Sequence, residues 1–199
     1  MSQRTERPRS PWRRRGWLLA VAGVAFALVA FRPDVERSGE ARWAAAGQAA
    51  LRPFKRQLQT ALQQGLAKGP ESAIDACRIE APRVAWALTT ETKRVGRTSH
   101  RLRNPANAPK PWMQPILEEL QAAAPGAIAY RVAPIEPGWV GYAEPIYVQP
   151  PCLTCHGASI RSPIARELEA RYPEDRATGF SVGDFRGLFW VELATGGKR

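Results

Sequence analysis

The chain has 199 residues and a formal net charge of +11, with 44% hydrophobic and 24% charged residues. These proportions are those of an ordinary globular protein, so a chain that is disordered throughout is excluded. The basic excess is a weak argument for nucleic-acid binding, because residues 1–31 alone carry +5 and the other 168 residues carry +6.

Residues 1–31 are predicted to form a signal peptide or a membrane anchor. Three consecutive arginines at 13–15 precede an uncharged run of 15 residues at 17–31. This order is typical of an export signal, and the run is short for a membrane-spanning helix. Cleavage after Ala30 is disfavoured by Leu28, where a small residue is preferred, so an uncleaved anchor stays open. Either alternative predicts a periplasmic protein, soluble or tethered to the inner membrane.

Two helices are predicted in the first part of the exported chain. Residues 43–68 are rich in Ala, Gln and Leu, and their apolar residues recur at steps of three and four, with Pro53 predicted to break or kink the helix. A second helix is predicted to start near Glu71, with Cys77 on its apolar face and a kink at Pro82.

The remainder is predicted to be richer in strands. Residues 98–115 are loop-like, residues 116–124 and 161–172 are predicted as short helices, and residues 128–132 and 139–148 as strands. Residues 180–182 and 188–193 are predicted to pair as a hairpin around Gly183 and Gly187. Helices first and antiparallel strands later predict an α+β domain over residues 40–195.

One motif carries the predicted chemistry: Cys152-Leu153-Thr154-Cys155-His156. This C-x-x-C-H spacing is the attachment sequence of c-type haem. Two thiols three positions apart can form thioethers to the two vinyl groups on one porphyrin edge, and the adjacent His then reaches the iron. The sequence therefore predicts one covalently bound haem c.

Other interpretations of the motif have less support. A structural zinc site needs four ligands, and only Cys77 and His100 could complete one. A thioredoxin-like pair requires no His and sits between a strand and a helix, whereas Pro150 and Pro151 precede this motif. A disulfide across the motif would be strained.

The residues alone leave the sixth iron ligand open. Met113 lies in a Pro-rich loop and could be a ligand or a packing residue. His100 lies in a basic loop, where a solvated His is the simpler interpretation. Cys77 is left without a disulfide partner once haem takes the other two cysteines, and it could be a ligand or a small core residue.

Several segments together resemble a known family, the exported c-type haem proteins with a PAS-like fold that are catalogued as a domain of unknown function. The resemblance covers roughly residues 40–193. The matching segments are Ala76-Cys77 with Ala81-Pro82, residues 95–99, Arg103-Asn104-Pro105 with Asn107, residues 145–148 leading into the motif, and residues 175–179 with 183–187.

The resemblance implies that His156 and Cys77 are the two axial iron ligands. It also implies a central antiparallel sheet flanked by helices, with haem between helix and sheet, and a role in redox or small-molecule sensing. Arg97 and Arg103 are predicted partners of the haem propionates, since arginine pairs with carboxylates in a bidentate manner.

The predicted function is that of a periplasmic monohaem c-type cytochrome that senses redox state or a small ligand. The expected partners are a small diatomic ligand or a redox partner protein, with no nucleic acid. The alternative is an electron-transfer cytochrome with Met113 or His100 as sixth ligand. An enzyme is not expected, because catalysis would need an open iron position with acid or base groups nearby.

Overall fold

The computed structural model describes residues 33–196 of the chain. The predicted signal or anchor at residues 1–31 lies outside this range. The chain divides into two units between Glu40 and Ala41, and the sheet and the candidate site belong to the unit that begins at Ala41. Within residues 33–196, no helix combines the length and apolar character needed to cross a membrane.

The first helix, α1, spans Pro33–Lys68 and continues through Pro53. Of the two predicted alternatives at Pro53, a break or a kink, the break is therefore wrong. Leu51 and Phe54, on either side of the proline, are almost completely buried. Their packing in the core holds the helix together where the proline removes one hydrogen bond.

The second predicted helix consists of three consecutive segments. Helix α2 spans Pro70–Asp75, a π-helical turn spans Ala76–Glu80, and helix α3 spans Ala81–Leu88. The irregularity predicted at Pro82 is therefore placed in the turn just before it. Cys77 lies within this π-helical turn.

Four antiparallel strands form one sheet in the order β1-β4-β3-β2. The strands are β1, Lys93–Thr98; β2, Arg131–Glu136; β3, Trp139–Tyr147; and β4, Phe185–Ala194. The other helices are α4, Gln114–Ala122; α5, Leu153–His156; and α6, Ser162–Arg171, with short 3-10 turns at Pro105–Asn107, Pro111–Met113 and Pro150–Cys152. The predicted α+β class is confirmed.

The predicted hairpin between residues 180–182 and 188–193 is wrong. Phe180 instead forms a parallel bridge with Gly157, and β4 pairs with β1 and β3. Gly183, at a positive φ of 88°, donates its N–H to the Val148 carbonyl. Gly183 and Asp184 therefore bond Val148, the residue just after β3, and do not close a local hairpin.

The sheet separates two hydrophobic cores. Tyr142 and Val191 pack with α1 and α3, whereas Ala143 and Leu188 pack with α4 and Met113. Neighbouring residues of a strand point to opposite faces, so the two cores lie on opposite sides of the sheet. The helix α1 approaches its face closely at Gly47, where a Cβ atom would lie 2.2 Å from Cγ of Tyr142.

Candidate functional site

A cavity of about 550 Å³, measured with its opening to solvent, lies where the π-helical turn, the ends of β1, β3 and β4, and α5 meet. It brings together four of the six predicted site residues, which are far apart in sequence. The chemically active side chains around it are Cys77, Arg97, Arg103, His156, Tyr172 and Arg186.

Cys77 reaches the cavity from the π-helical turn. The N–H of Ala81 bonds the carbonyl of Ala76, five residues back. The next helical donor, at Pro82, does not exist because proline has no N–H. The Cys77 carbonyl is therefore left without a helical donor, and it accepts a hydrogen bond from Nη2 of Arg97 at 2.9 Å. A π-helical turn at a functional position is a recurrent feature of proteins.

His156 ends the short helix α5 and is held as a neutral imidazole. Burial, followed by the charges of Arg103 and Arg186, lowers the pKa of His156 to about 3. Its Nδ1 lies 2.6 Å from the carbonyl oxygen of Ala177. A carbonyl can only accept, so Nδ1 carries the proton and Nε2 keeps its lone pair. This is the tautomer that a metal-binding histidine needs.

Three guanidinium groups line the cavity, and only one of them is neutralised. Arg103 forms a buried ion pair with Asp175, with Nε to Oδ2 at 2.9 Å. Within residues 33–196, no carboxylate pairs with Arg97 or Arg186. Arg186 instead donates to Oγ of Ser99 at 2.6 Å, and burial together with Arg97 and Arg103 lowers its pKa to about 10. The cavity is therefore suited to an anionic group.

Arg186 is a candidate site residue that the sequence analysis missed. It lies in the segment 183–187, which the family resemblance included, but its side chain was not singled out. The one available signal was that resemblance. Arg103, by contrast, was predicted to face a propionate, and the structure places it on Asp175 and on backbone carbonyls of Cys155 and Ala177.

The two motif cysteines are half-buried free thiols, and they are not among the residues that line the cavity. Cys155 packs against the cluster around Ile74 and Leu168, and burial raises its pKa. Cys152 packs beside Val148 and Phe180, and its sulfur lies 3.4 Å from the backbone nitrogen of Gln149. The described part of the chain contains no group of three or more His, Cys, Asp or Glu placed to hold a metal ion.

The two alternative sixth ligands lie elsewhere. Met113 is fully buried in the core with α4, on the opposite face of the sheet from Cys77's neighbours Val84 and Ala81. His100 stacks on Phe185, with ring centroids 5.5 Å apart, and burial followed by the charge of Arg186 lowers its pKa. Neither side chain lines the cavity that holds Cys77 and His156.

The architecture is thus an α+β domain whose antiparallel sheet carries, at one end, a cavity with a thiol, an imidazole and unpaired guanidinium groups. The chain belongs to the Tll0287-like family, whose sequence model matches residues 36–194. This confirms the family resemblance stated above.

The comparison with solved structures supports the same fold. The crystal structure of the cyanobacterial heme-protein Tll0287 matches with a TM-score of 0.59 and 23% sequence identity, over 76% of this chain and 94% of that one. At this identity the likeness establishes the fold. A comparison with curated proteins gives no match.

Proposed function

We propose that this protein is an exported monohaem c-type haem protein with His156 and Cys77 as axial ligands, and that it senses redox state or a small ligand. The observation that carries the proposal is the cavity itself. It is lined by both Cys77 and His156, and His156 belongs to the haem-attachment motif. The heme-protein named above, with the same fold, adds support.

The chemistry of the cavity fits haem. A thiol and a neutral imidazole are both common axial ligands of haem iron. Haem also carries two propionate groups, and Arg97 and Arg186 are guanidinium groups without a carboxylate partner among the described residues. Arginine pairs with carboxylates through two parallel hydrogen bonds. The charge and the ligand types of the cavity thus both match one prosthetic group.

The side chains of the protein would divide the work. The Ala177 carbonyl fixes the tautomer of His156, which leaves Nε2 with the lone pair that would bind iron. Cys152 and Cys155 provide the thioether sulfurs. Cys77 provides a thiolate, which stabilises ferric over ferrous iron. When bound, haem supplies a one-electron couple and a position for a diatomic ligand.

The proposed sensing step belongs to Cys77. Cys77 would hold the iron as a thiolate and would release it as a thiol, which would leave room for CO or NO. The shape of the π-helical turn that carries Cys77 would then differ between the two states. The partner would be that diatomic ligand or a redox protein, and no catalytic role is proposed.

The proposed location is the periplasm, with residues 1–31 acting as a cleaved signal or as a tether to the inner membrane. The basic and apolar pattern of that segment supports export. Export also fits covalent haem attachment, which takes place on the unfolded chain after translocation.

Expression of the full chain with a c-type haem maturation system tests the proposal. We expect haem that stays with the protein on a denaturing gel, and that is lost in a Cys152→Ser, Cys155→Ser double variant. The reduced protein is expected to bind CO. Haem that is extracted by acidic organic solvent would overturn covalent attachment, and a reduced protein that stays six-coordinate and refuses CO would overturn gas sensing.

A further inference from the structure

The segment that follows α6 contains Asp175, which forms a buried ion pair with Arg103. Arg103 in turn contacts the attachment motif. Arg103 and Asp175 are 9% and 11% exposed, and their Nε and Oδ2 atoms lie 2.9 Å apart. The ion pair is thus shielded from water. Breaking such a buried pair lowers the stability of a protein, because it leaves a buried charge without a partner.

Both partners contact the backbone of Ala177, whose carbonyl oxygen bonds His156. Oδ1 of Asp175 accepts the N–H of Ala177 at 2.7 Å. Nη2 of Arg103 lies 3.3 Å from the Ala177 carbonyl oxygen, which also accepts the Nδ1 proton of His156 at 2.6 Å. Asp175 therefore holds the N–H of Ala177, and Arg103 contacts the carbonyl of Ala177, which orients the imidazole.

Arg103 makes a further contact to the motif. Its Nη2 donates to the carbonyl of Cys155, the residue just before His156. One guanidinium group therefore links the motif, the Ala177 carbonyl and the Asp175 carboxylate. A planar fork with five donors can serve three acceptors at fixed angles, which an ammonium group cannot.

We propose that Arg103 and Asp175 are positioning residues that set the orientation of the His156 imidazole, and through it the ligand field and reduction potential of the iron. This inference rests on the proposed function. It assigns Arg103 a role different from the predicted contact with a propionate, which the geometry leaves to Arg97 and Arg186. Partners of this kind behind a ligating histidine commonly tune a metal centre.

Two substitutions in the full holoprotein separate positioning from charge. Arg103→Lys keeps the positive charge and removes the fork. Asp175→Asn keeps an oxygen for the Ala177 N–H and removes the ion pair. The matched control is Arg94→Lys, because Arg94 also pairs with a buried carboxylate, that of Glu192 at 3.3 Å, and none of its contacts with described residues involves the motif or residues 175–178. Covalent haem content and thermal melting verify that each variant is folded and loaded.

Ferric electron paramagnetic resonance (EPR) and the midpoint potential are then measured. We expect both test variants to give a low-spin signal with altered or multiple sets of g values, while Arg94→Lys resembles the wild type. Asp175→Asn is also expected to raise the midpoint potential, because the unpaired guanidinium disfavours the more positive ferric state.

The outcomes distinguish a failure of the positioning role from a failure of the proposed function. Wild-type spectra in Arg103→Lys, with a shifted potential only in Asp175→Asn, would mean a purely electrostatic pair and would overturn positioning. Wild-type spectra and potential in both variants would overturn it as well. A wild-type protein without covalent haem would overturn the proposed function, and this inference with it.

Discussion

At the scale of single residues, Cys77 decides between the two functions considered. Its thiol lines the same cavity as His156, whereas Met113 is fully buried in the core with α4. A thiolate ligand lowers the reduction potential and can leave on protonation, which suits a sensor. A methionine ligand raises the potential, as in many electron carriers.

Replacing Cys77 tests its role directly. We expect Cys77→Ser to keep covalent haem but to change the ferric iron from six-coordinate low-spin to high-spin, because the strong sulfur ligand is gone. Optical absorption of the ferric protein measures this. Met113→Leu, which conserves volume in the other core, is the control and is expected to keep the wild-type spectrum. The opposite pattern would identify Met113 as the ligand.

Glu192 is a second residue whose environment dictates a measurable property. It is 2% exposed and accepts hydrogen bonds from Lys110 at 2.6 Å and from Nε1 of Trp112 at 2.9 Å, with Arg94 at 3.3 Å. Burial raises the pKa of Glu192, but the hydrogen bonds from Lys110 and Trp112 outweigh burial and leave the pKa below its ordinary value of 4.5.

The direction of this pKa fixes the effect of acid. The folded protein holds the Glu192 proton more weakly than the unfolded chain does, so the stabilisation is fully present above about pH 5 and is lost as the pH falls through the lower folded-state pKa. We expect Glu192→Gln to cost about 2 kcal/mol at pH 7 and to melt with a flatter pH dependence below about pH 5. Thermal melting measures both, with the exposed Glu118→Gln as control. Parallel pH profiles for wild type and Glu192→Gln would contradict the assignment.

At the scale of secondary-structure elements, the π-helical turn connects the sequence to the site. The Ala81 N–H, which would bond the Cys77 carbonyl in a regular α-helix, bonds the Ala76 carbonyl instead, and Arg97 supplies a donor to Cys77 from β1. The turn therefore joins the helix to the sheet at the residue that faces the cavity. Pro82 favours this irregularity, because its ring would clash with the Arg78 carbonyl in a regular α-helix.

Pro82→Ala adds an N–H that donates to the Arg78 carbonyl in a regular α-helix and removes the ring that clashes with that carbonyl, so it is expected to shift the turn toward regular α-helix. Cys77 would then change its direction without being replaced, and the low-spin EPR signal of the ferric protein is expected to become heterogeneous. Pro70→Ala is the matched control, because Pro70 is the first residue of α2, where the N–H has no helical partner. An unchanged spectrum in Pro82→Ala would show that the turn does not depend on this proline.

The elements also show what the sequence could and could not reveal. The periodicity of α1 predicts a helix, because the apolar residues that are buried on one face recur at helical spacing. The sequence pattern does not predict strand β1, because Lys93–Thr98 contains charged residues and a glycine in place of alternating apolar residues. The burial of this strand depends on Trp190, which lies over Gly96. The false hairpin arose because turn residues near Gly183 pair with distant Val148. Pairings of long range leave no local signal.

At the scale of the whole described domain, the site is assembled from distant parts of the chain. Residues 77, 97, 103, 156 and 186 meet around one cavity, which spacing alone could not predict. The motif at 152–156 predicts covalent haem attachment, and the family resemblance predicts Cys77 as an iron ligand. Arg186 and the Arg103–Asp175 pair became visible only when the fold placed their charges.

The central claim is that one haem is held between Cys77 and His156. Low-temperature EPR of the purified ferric wild-type protein tests it most directly. The account predicts a low-spin signal with the narrow spread of g values that thiolate ligation gives. A wide spread, typical of His/Met or His/His ligation, or a high-spin signal from an open iron position, would contradict it.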